Sequence, residues 1–395
     1  MTGPAVSDLE RVLIVGAGLM GTSVGLALRR YGVRVWLTDA TDRHGSLAES
    51  IGAGDWTSGP DDTSIDPQLV VVGVPPAVAG EVVAKALGQF PDAVVTDLAS
   101  VKGPVVAAVT ALTDPVQRTR YVPGHPMAGS ERSGPLAARG TLFEGRAWAV
   151  VTDAGADAPA LALVDELIHL CGGVPVQIDT VDHDQAVALV SHLPQVAAST
   201  VAGLLVGAPE SYLALAGQGV RDTTRIAGGD PEMWTQILSS NAAAVAALVR
   251  AMAAALTTVA DDLTRLAPGG LGGLGGPGGP GGPGLASETA EPQPAEPQPE
   301  LTAWLSAGLA GVNRLPGKHG HYPETYVTVD VVIPDRVGAL QQLFADVTAA
   351  GVNIEDIRID HDVAALQGHA QLAVLPSAEA ALTAALSRHG WSVAD

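Results

Sequence analysis

His125-Pro126-Met127-Ala128-Gly129-Ser130-Glu131 places one imidazole in a stretch rich in Pro and Gly, after the strand-like Arg120-Tyr121-Val122. A neutral imidazole can take a hydroxyl proton near pH 7. Upstream, Gly16-Ala17-Gly18-Leu19-Met20-Gly21 follows the apolar run Arg11–Val15 and opens a helical pattern. In that setting Gly16 permits a tight turn, Gly18 lets a diphosphate approach the backbone, and Gly21 lets the helix pack closely. The helix N-terminus, from Leu19 and Met20, then faces the phosphates. Asp39 closes the second strand, placed to accept from ribose hydroxyls and to repel a 2′-phosphate. The pattern predicts dinucleotide binding with NAD as the cofactor, although Arg43 lies close by. Val74-Pro75-Pro76 ends another buried strand and either lines the same crevice or stiffens a loop.

Ligands of open α/β sheets sit beyond the carboxyl ends of strands. Asp97-Leu98-Ala99-Ser100-Val101-Lys102 leaves such a strand, so Ser100 is a candidate beside the nicotinamide and a substrate hydroxyl, or else a helix N-cap. Lys102 reads as structural or surface. Removing hydride from a carbinol also requires that the hydroxyl proton leave, which gives His125 its task. No metal is called for.

The elements that must position these groups follow from periodicity. Buried runs at 11–15, 33–37, 69–73, 94–97 and 147–151 alternate with helices, which predicts a Rossmann-like parallel sheet over 8–152. The pattern then turns helical over 153–267: Ala158–Leu170, a long candidate Thr180–Val206 interrupted by Pro194, and Pro231–Leu266 read as one helix. Long Ala- and Leu-rich helices after a nucleotide domain predict a homodimer through an all-α dimerisation domain. Gly-Gly-Pro repeats and Glu-Pro-Gln-Pro predict a flexible linker over 268–320. The remainder, 321–395, reads β-α-β-β-α-β, a ferredoxin-like unit.

Bulk properties set limits. The 395 residues are 47% hydrophobic, enough for several domains. The net charge is −21, from 42 acidic against 21 basic residues. That balance repels nucleic acid and anionic membranes, so an anionic substrate needs local cations. No long uninterrupted apolar run and no secretion signal is read, and Cys171 is the single cysteine. A cytoplasmic enzyme is the expectation.

Taken together, Gly16–Ser23, Asp97–Lys102, His125–Glu131 and Arg221-Asp222-Thr223-Thr224-Arg225-Ile226-Ala227 resemble the prephenate/arogenate dehydrogenase family over about residues 10–267. The resemblance implies oxidative decarboxylation of prephenate to 4-hydroxyphenylpyruvate, or of arogenate to tyrosine. It makes His125 the catalytic histidine and Ser100 its neighbour. Arg225 becomes the arginine that grips a substrate carboxylate, a task its donor fork suits. On spacing alone Arg225 could instead pair with Asp222, and Arg221 is a weaker candidate. Ser130 and Glu131 are placed at the substrate, Glu131 either touching it or orienting Arg225 or a histidine, and Trp234 is either an apolar wall or core.

Ser191-His192-Leu193-Pro194-Gln195 matches a further family segment in which many members carry His where this chain has Gln195. His192 and Gln195 share a helix face. His183 lies nine residues before His192, half a turn away on one straight helix, so the two are not expected at one site. Gln195 leaves arogenate a rival substrate, followed by an amino-substituted prephenate and then by a catalytically silent sensor. A β-hydroxyacid dehydrogenase would be expected to use a helix lysine of the second domain, and no lysine lies between Lys102 and Lys318. Residues 326–354 resemble an ACT domain, which implies an aromatic amino acid effector near Gly338 and Asn353, or a dimerisation unit without ligand.

Overall fold

The computed structural model describes residues 8–57, 65–129, 133–266, 299–315, 326–362 and 367–394. Two compact units divide at Thr257/Thr258.

In the first unit the strands β1 (Arg11–Val15), β2 (Arg34–Thr38), β3 (Asp55–Trp56), β4 (Leu69–Val72), β5 (Val94–Asp97), β6 (Tyr121–Pro126), β7 (Ala147–Val151) and β8 (Val174–Ile178) form one sheet in the order β3-β2-β1-β4-β5-β6-β7-β8. Strands β1 and β4 are Val, Leu and Ile runs buried almost throughout, as strands covered on both faces must be. Each such side chain contributes roughly 1.5–3 kcal/mol on burial. The chain reverses direction across the sheet between β1 and β4, which creates the crevice where such folds bind ligands. The helices are α1 (Leu19–Arg29), α2 (Asp42–Ser50), α3 (Pro76–Gln89), α4 (Gly103–Leu112), α5 (Pro115–Arg118) and α6 (Ala158–Leu170).

The sheet departs from the all-parallel expectation. Strand β7 runs antiparallel to β6, setting His125 opposite Ala149, and β8 runs parallel to β7. Helix α6 and β8 therefore belong to the sheet layer, which extends to residue 178 rather than ending near 151. Val174 and Val176 are exposed on that edge strand, so its apolar signal is weak.

The helical part begins with α7 (Thr180–Val187), a π-helical turn over Ala188–His192, and α8 (Leu193–Leu204). Pro194 thus sits in the first turn of α8, where its missing N–H costs little. Short helices α9 (Glu210–Leu213) and α10 (Gln218–Thr224) lead to a 3-10 turn, Arg225–Gly228. Pro231–Leu266 is two helices, not one: α11 (Pro231–Ser240) and α12 (Ala242–Leu266). The break falls at Asn241, whose buried Nδ2 donates to the Asp184 carbonyl at 2.7 Å. A short polar side chain that bonds elsewhere in preference to its own helix is a boundary residue. Two stretches, Thr180–Leu204 and Ala242–Leu266, are long and apolar enough to cross a membrane by length and composition, despite the lack of an uninterrupted apolar run.

The second unit holds the end of α12 and a helix α13 (Pro299–Val312) inside the stretch expected to be linker. Proline at its start and Leu301, Trp304, Leu305 and Leu309 at helical spacing account for it. Strands β9 (Val327–Pro334), β10 (Asp356–Asp362), β11 (Gln367–Val374) and β12 (Ser392–Ala394) alternate with α14 (Ala339–Ala349) and α15 (Pro376–Arg388). The order β10-β11-β9-β12, antiparallel throughout, is the ferredoxin-like arrangement read from sequence. Inward Val329, Val331 and Ile333 pack with Leu343, Leu372 and Leu386.

Candidate active site

The glycine turn is built as its spacing requires. Gly16 has φ +106°, and a Cβ there would lie 2.5 Å from the Gly73 carbonyl oxygen. A Cβ on Gly21 would meet the Gly16 carbonyl oxygen at 2.0 Å and Ile14 at 2.9 Å, so α1 presses directly on the turn. At Gly18 a Cβ would meet nothing within 4 Å, which leaves room for a ligand to reach the backbone. Helix α1 starts at Leu19 with no side-chain cap bond from Gly18, so the N–H groups of its first turn, with Leu19 and Met20, lack the intrahelical partners of later turns and suit an anion. Asp39 follows β2 and accepts from Ala17 N and Thr41 N, both at 2.8 Å. Its carboxylate thus ties the glycine turn to β2 and retains lone pairs for further donors. Val74 and Pro75 lead from β4 into α3, with Pro76 as the first helical residue. Val74 packs against the Gly16 position across the crevice.

Two strands along, the loop after β5 is pinned at both ends. Asp97 accepts from Ala99 N at 2.9 Å. Asp184, from α7, accepts from Lys102 N and Gly103 N, both at 2.8 Å, and so caps α4 from outside. Ser100 lies half-buried between these anchors. It is not the helix N-cap, because α4 starts at Gly103 after Lys102. Lys102 is completely buried, not at the surface. Its Nζ donates to Asp97 and to the Gly124 carbonyl. Burial pulls its pKa down, and Asp97 opposes that pull. Tyr121 donates to the other Asp97 oxygen at 2.8 Å, and burial raises its pKa, so it remains a phenol.

His125 is the penultimate residue of β6, held in ladder register rather than in a loop. Its Nδ1 lies 2.9 Å from His183 Nε2, and His183 Nδ1 lies 2.8 Å from Asp184 Oδ1. Burial first, then the Lys102 charge and the nearby His183 and His192, hold the His125 imidazole well below the ordinary histidine range. It is therefore neutral at pH 7.

His183 and His192 both act on this site, contrary to the straight-helix expectation. The reason is the π turn over Ala188–His192, which spends an extra residue on the same rotation. The angular separation falls from about 180° to about 80°. His192 is buried, accepts from Asn241 Nδ2 at 3.3 Å and meets the Trp234 ring edge-on at 6.3 Å. Gln195, one turn further, is buried; its Nε2 donates to Ser199 at 3.3 Å while its Oε1 has no partner.

Arg225 is exposed, at the start of the 3-10 turn that packs on α8. Asp222 accepts from Gln218 at 2.8 Å. Ser130 and Glu131 lie outside the described residues. Met127 and Gly129 border a hollow of about 360 Å³ with Arg139 and Arg146, two cations that motif reading did not single out. In the second unit Gly338, at φ +86°, opens α14 and lines a cavity of about 250 Å³ with Asp335, Arg336 and Ile359. Asn353 does not line it; its side chain donates to Glu355 at 2.7 Å.

A glycine turn at the switch point of a doubly wound sheet, with a neutral imidazole at the carboxyl edge, defines a dinucleotide-binding oxidoreductase. Residues 24–177 match the family described as "Prephenate dehydrogenase, nucleotide-binding domain" and 179–266 match "Prephenate dehydrogenase, dimerization domain". A "Probable prephenate dehydrogenase NovF" of Streptomyces niveus is 34% identical over 97% of this chain and 99% of its own. The chain belongs to the prephenate dehydrogenase family. A "Cyclohexadienyl dehydrogenase" of Zymomonas mobilis is 31% identical over 60% of this chain and 82% of its own. Among solved structures, prephenate dehydrogenase from A. aeolicus "in complex with hydroxyphenyl propionate and NAD+" is 30% identical, with TM-score 0.60 over 66% of this chain and 93% of that one. Synechocystis arogenate dehydrogenase is 25% identical, with TM-score 0.55 over 65% of this chain and 92% of that one.

Proposed function

We propose that the chain catalyses the NAD-dependent oxidative decarboxylation of prephenate to 4-hydroxyphenylpyruvate in a cytoplasmic homodimer. NAD, when bound, supplies the hydride acceptor. Gly16, Gly18, Gly21, Leu19 and Met20 would hold its diphosphate, Asp39 its ribose, and Val74 and Pro75 the crevice wall. The open space at Gly18 and the remaining lone pairs of Asp39 fit that group. His125 accepts the proton of the C4 hydroxyl as hydride leaves C4. Ser100, on the adjoining loop, orients that hydroxyl. Arg225 binds a carboxylate, with Ser130 and Glu131 as further substrate contacts. Loss of the C1 carboxylate as carbon dioxide aromatises the ring and drives the reaction forward. Val201, Leu204 and Leu256 are exposed apolar residues on α8 and α12, as helices that pack against a second subunit would show.

The observation that carries this reading is the His125 imidazole near the end of β6, 2.9 Å from His183, beside the Ser100 loop that Asp97 and Asp184 pin. The test is turnover of prephenate by purified protein with NAD, followed by cofactor reduction and carbon dioxide release. No turnover of prephenate, arogenate or an amino-substituted prephenate would favour the silent sensor.

A second reading, arogenate as substrate, is favoured by Gln195. A buried amide oxygen without a partner costs about 1–3 kcal/mol, which a substrate N–H donor would relieve. Comparing kcat/KM for prephenate and arogenate decides between the two. An aromatic amino acid effector is proposed for the cavity beside Gly338. Calorimetric titration of the full chain with tyrosine tests it, and unaltered binding by Gly338→Val would place the effector elsewhere.

A further inference from the structure

We infer that His183 and Asp184 form a positioning pair that fixes His125 with its proton on Nδ1, leaving the Nε2 lone pair as the proton acceptor. The inference deepens the proposed reaction and rests on it for the identity of the proton donor.

Asp184 sets the direction of the chain, because an ionised carboxylate only accepts hydrogen bonds. Burial pushes its carboxyl pKa up, but bonds from His183, Lys102 N and Gly103 N outweigh that and hold it below the ordinary range, so it is ionised at pH 7. At 2.8 Å, His183 Nδ1 must therefore be the donor to Asp184 Oδ1. In a neutral imidazole the second nitrogen then carries no hydrogen. With His183 in its neutral form, Nε2 is the acceptor, and the atom 2.9 Å from it, His125 Nδ1, is the donor. One tautomer of His125 satisfies this chain, and it leaves Nε2 unprotonated.

The same chain supports the product of proton transfer. When the hydroxyl proton arrives at His125 Nε2, the imidazolium keeps donating from Nδ1 to His183. Asp184 compensates the positive charge through His183, as a buried carboxylate orients and supports a catalytic histidine elsewhere. Among the described residues, the other charged or titratable groups around His125 are Lys102, held by Asp97 with Tyr121 behind it, and His192, bonded to Asn241. Burial and the Lys102 charge oppose a charge on His125, and Asp184 is the carboxylate that the histidine chain reaches, through His183.

Asp184 also caps α4, so its removal alone would confuse loop position with tautomer. His183 separates the two roles. His183→Leu should lower kcat on the order of 10- to 100-fold with KM nearly unchanged. His183→Gln can accept from His125 and donate to Asp184, and should recover most of that loss. Asp184→Asn should lower kcat and move the acid limb of the kcat/KM profile to lower pH, because a charge that favours imidazolium is gone.

A direct readout needs no substrate. Nitrogen-15 NMR of histidine-labelled full-length protein, with His125→Asn to assign the signal, should report a protonated Nδ1 and a bare Nε2 in the wild type. His183→Leu should give a mixture of tautomers. A wild-type His125 protonated on Nε2, or the same tautomer in His183→Leu, would overturn the inference. The tautomer readout is independent of turnover, so failure on prephenate with the expected signals would count against the reaction and not against the pair. Should His183→Leu not fold, the His183→Gln and Asp184→Asn spectra carry the same decision.

Discussion

Lys102 Nζ donates to the carbonyl oxygen of Gly124 at 2.6 Å, in the peptide immediately before His125. The buried lysine is thus a strut beneath the histidine, and after burial its charge is the next influence that keeps the imidazole neutral. Lys102→Met would leave Asp97 buried without its cation. Breaking one side of such a pair costs about 3–5 kcal/mol, which a urea denaturation midpoint would report. A midpoint within experimental error of wild type would remove Lys102 from this structural role.

His125→Asn should lower kcat by about 10²–10⁴-fold, the usual size of a lost general base. NAD binding, followed by fluorescence titration, should be unchanged, because the glycine turn lies on β1 and not on β6. Retained turnover would mean that another group takes the proton.

Gly18→Ala and Gly21→Ala should separate binding from folding. A methyl at 18 meets nothing in the protein, so stability should hold while NAD affinity falls. A methyl at 21 would overlap the Gly16 carbonyl, so this variant should lose stability even without cofactor. Thermal melts and cofactor titrations of the two proteins check the contrast, and equal behaviour would refute it.

Acid should destabilise the fold before its carboxylates titrate. The unfolded chain takes up a proton at His125 near pH 6.5, whereas the folded chain refuses it until well below that value. Stability is therefore complete above that pH and falls as the pH drops toward the folded value. His192 adds to the trend in the same direction. Urea midpoints measured from about pH 7.5 to about pH 5.5 should decline, and His125→Asn should flatten the slope. A flat wild-type profile would contradict the assigned burial.

Arg225→Ala should act mainly on KM, since an exposed guanidinium that grips a substrate carboxylate supports binding more than chemistry. Arg225→Lys should recover only part of the loss, because an ammonium lacks the planar fork. Steady-state kinetics with unchanged KM in both variants would take Arg225 out of the site.

Much of the nucleotide half could be read from residue order because its signals are local. A buried apolar run, three glycines at fixed spacing and a helix start lie within a dozen residues, and an acid ends the next strand. The ferredoxin-like unit was legible for the same reason: Val329, Val331 and Ile333 alternate in period two, and Gly338 and Gly351 mark turns at φ +86° and +69°. The edge strand β8 was not legible, because Val174 and Val176 face outward and blur the pattern.

Residue order made certain groups available: an imidazole at 125, a carboxylate at 39, a hydroxyl at 100 and a guanidinium at 225. Which groups meet was settled by the packing of distant elements. A π turn brings His192 round toward the side of the helix that carries His183, and Asp184 reaches a backbone 81 residues away at Gly103. Lys102, read as structural or surface, is the buried cation under the site. The physical reason is that periodicity encodes a residue's face on its own helix or strand. A hydrogen bond between distant elements depends on how those elements pack, and one extra residue in one turn is enough to change it.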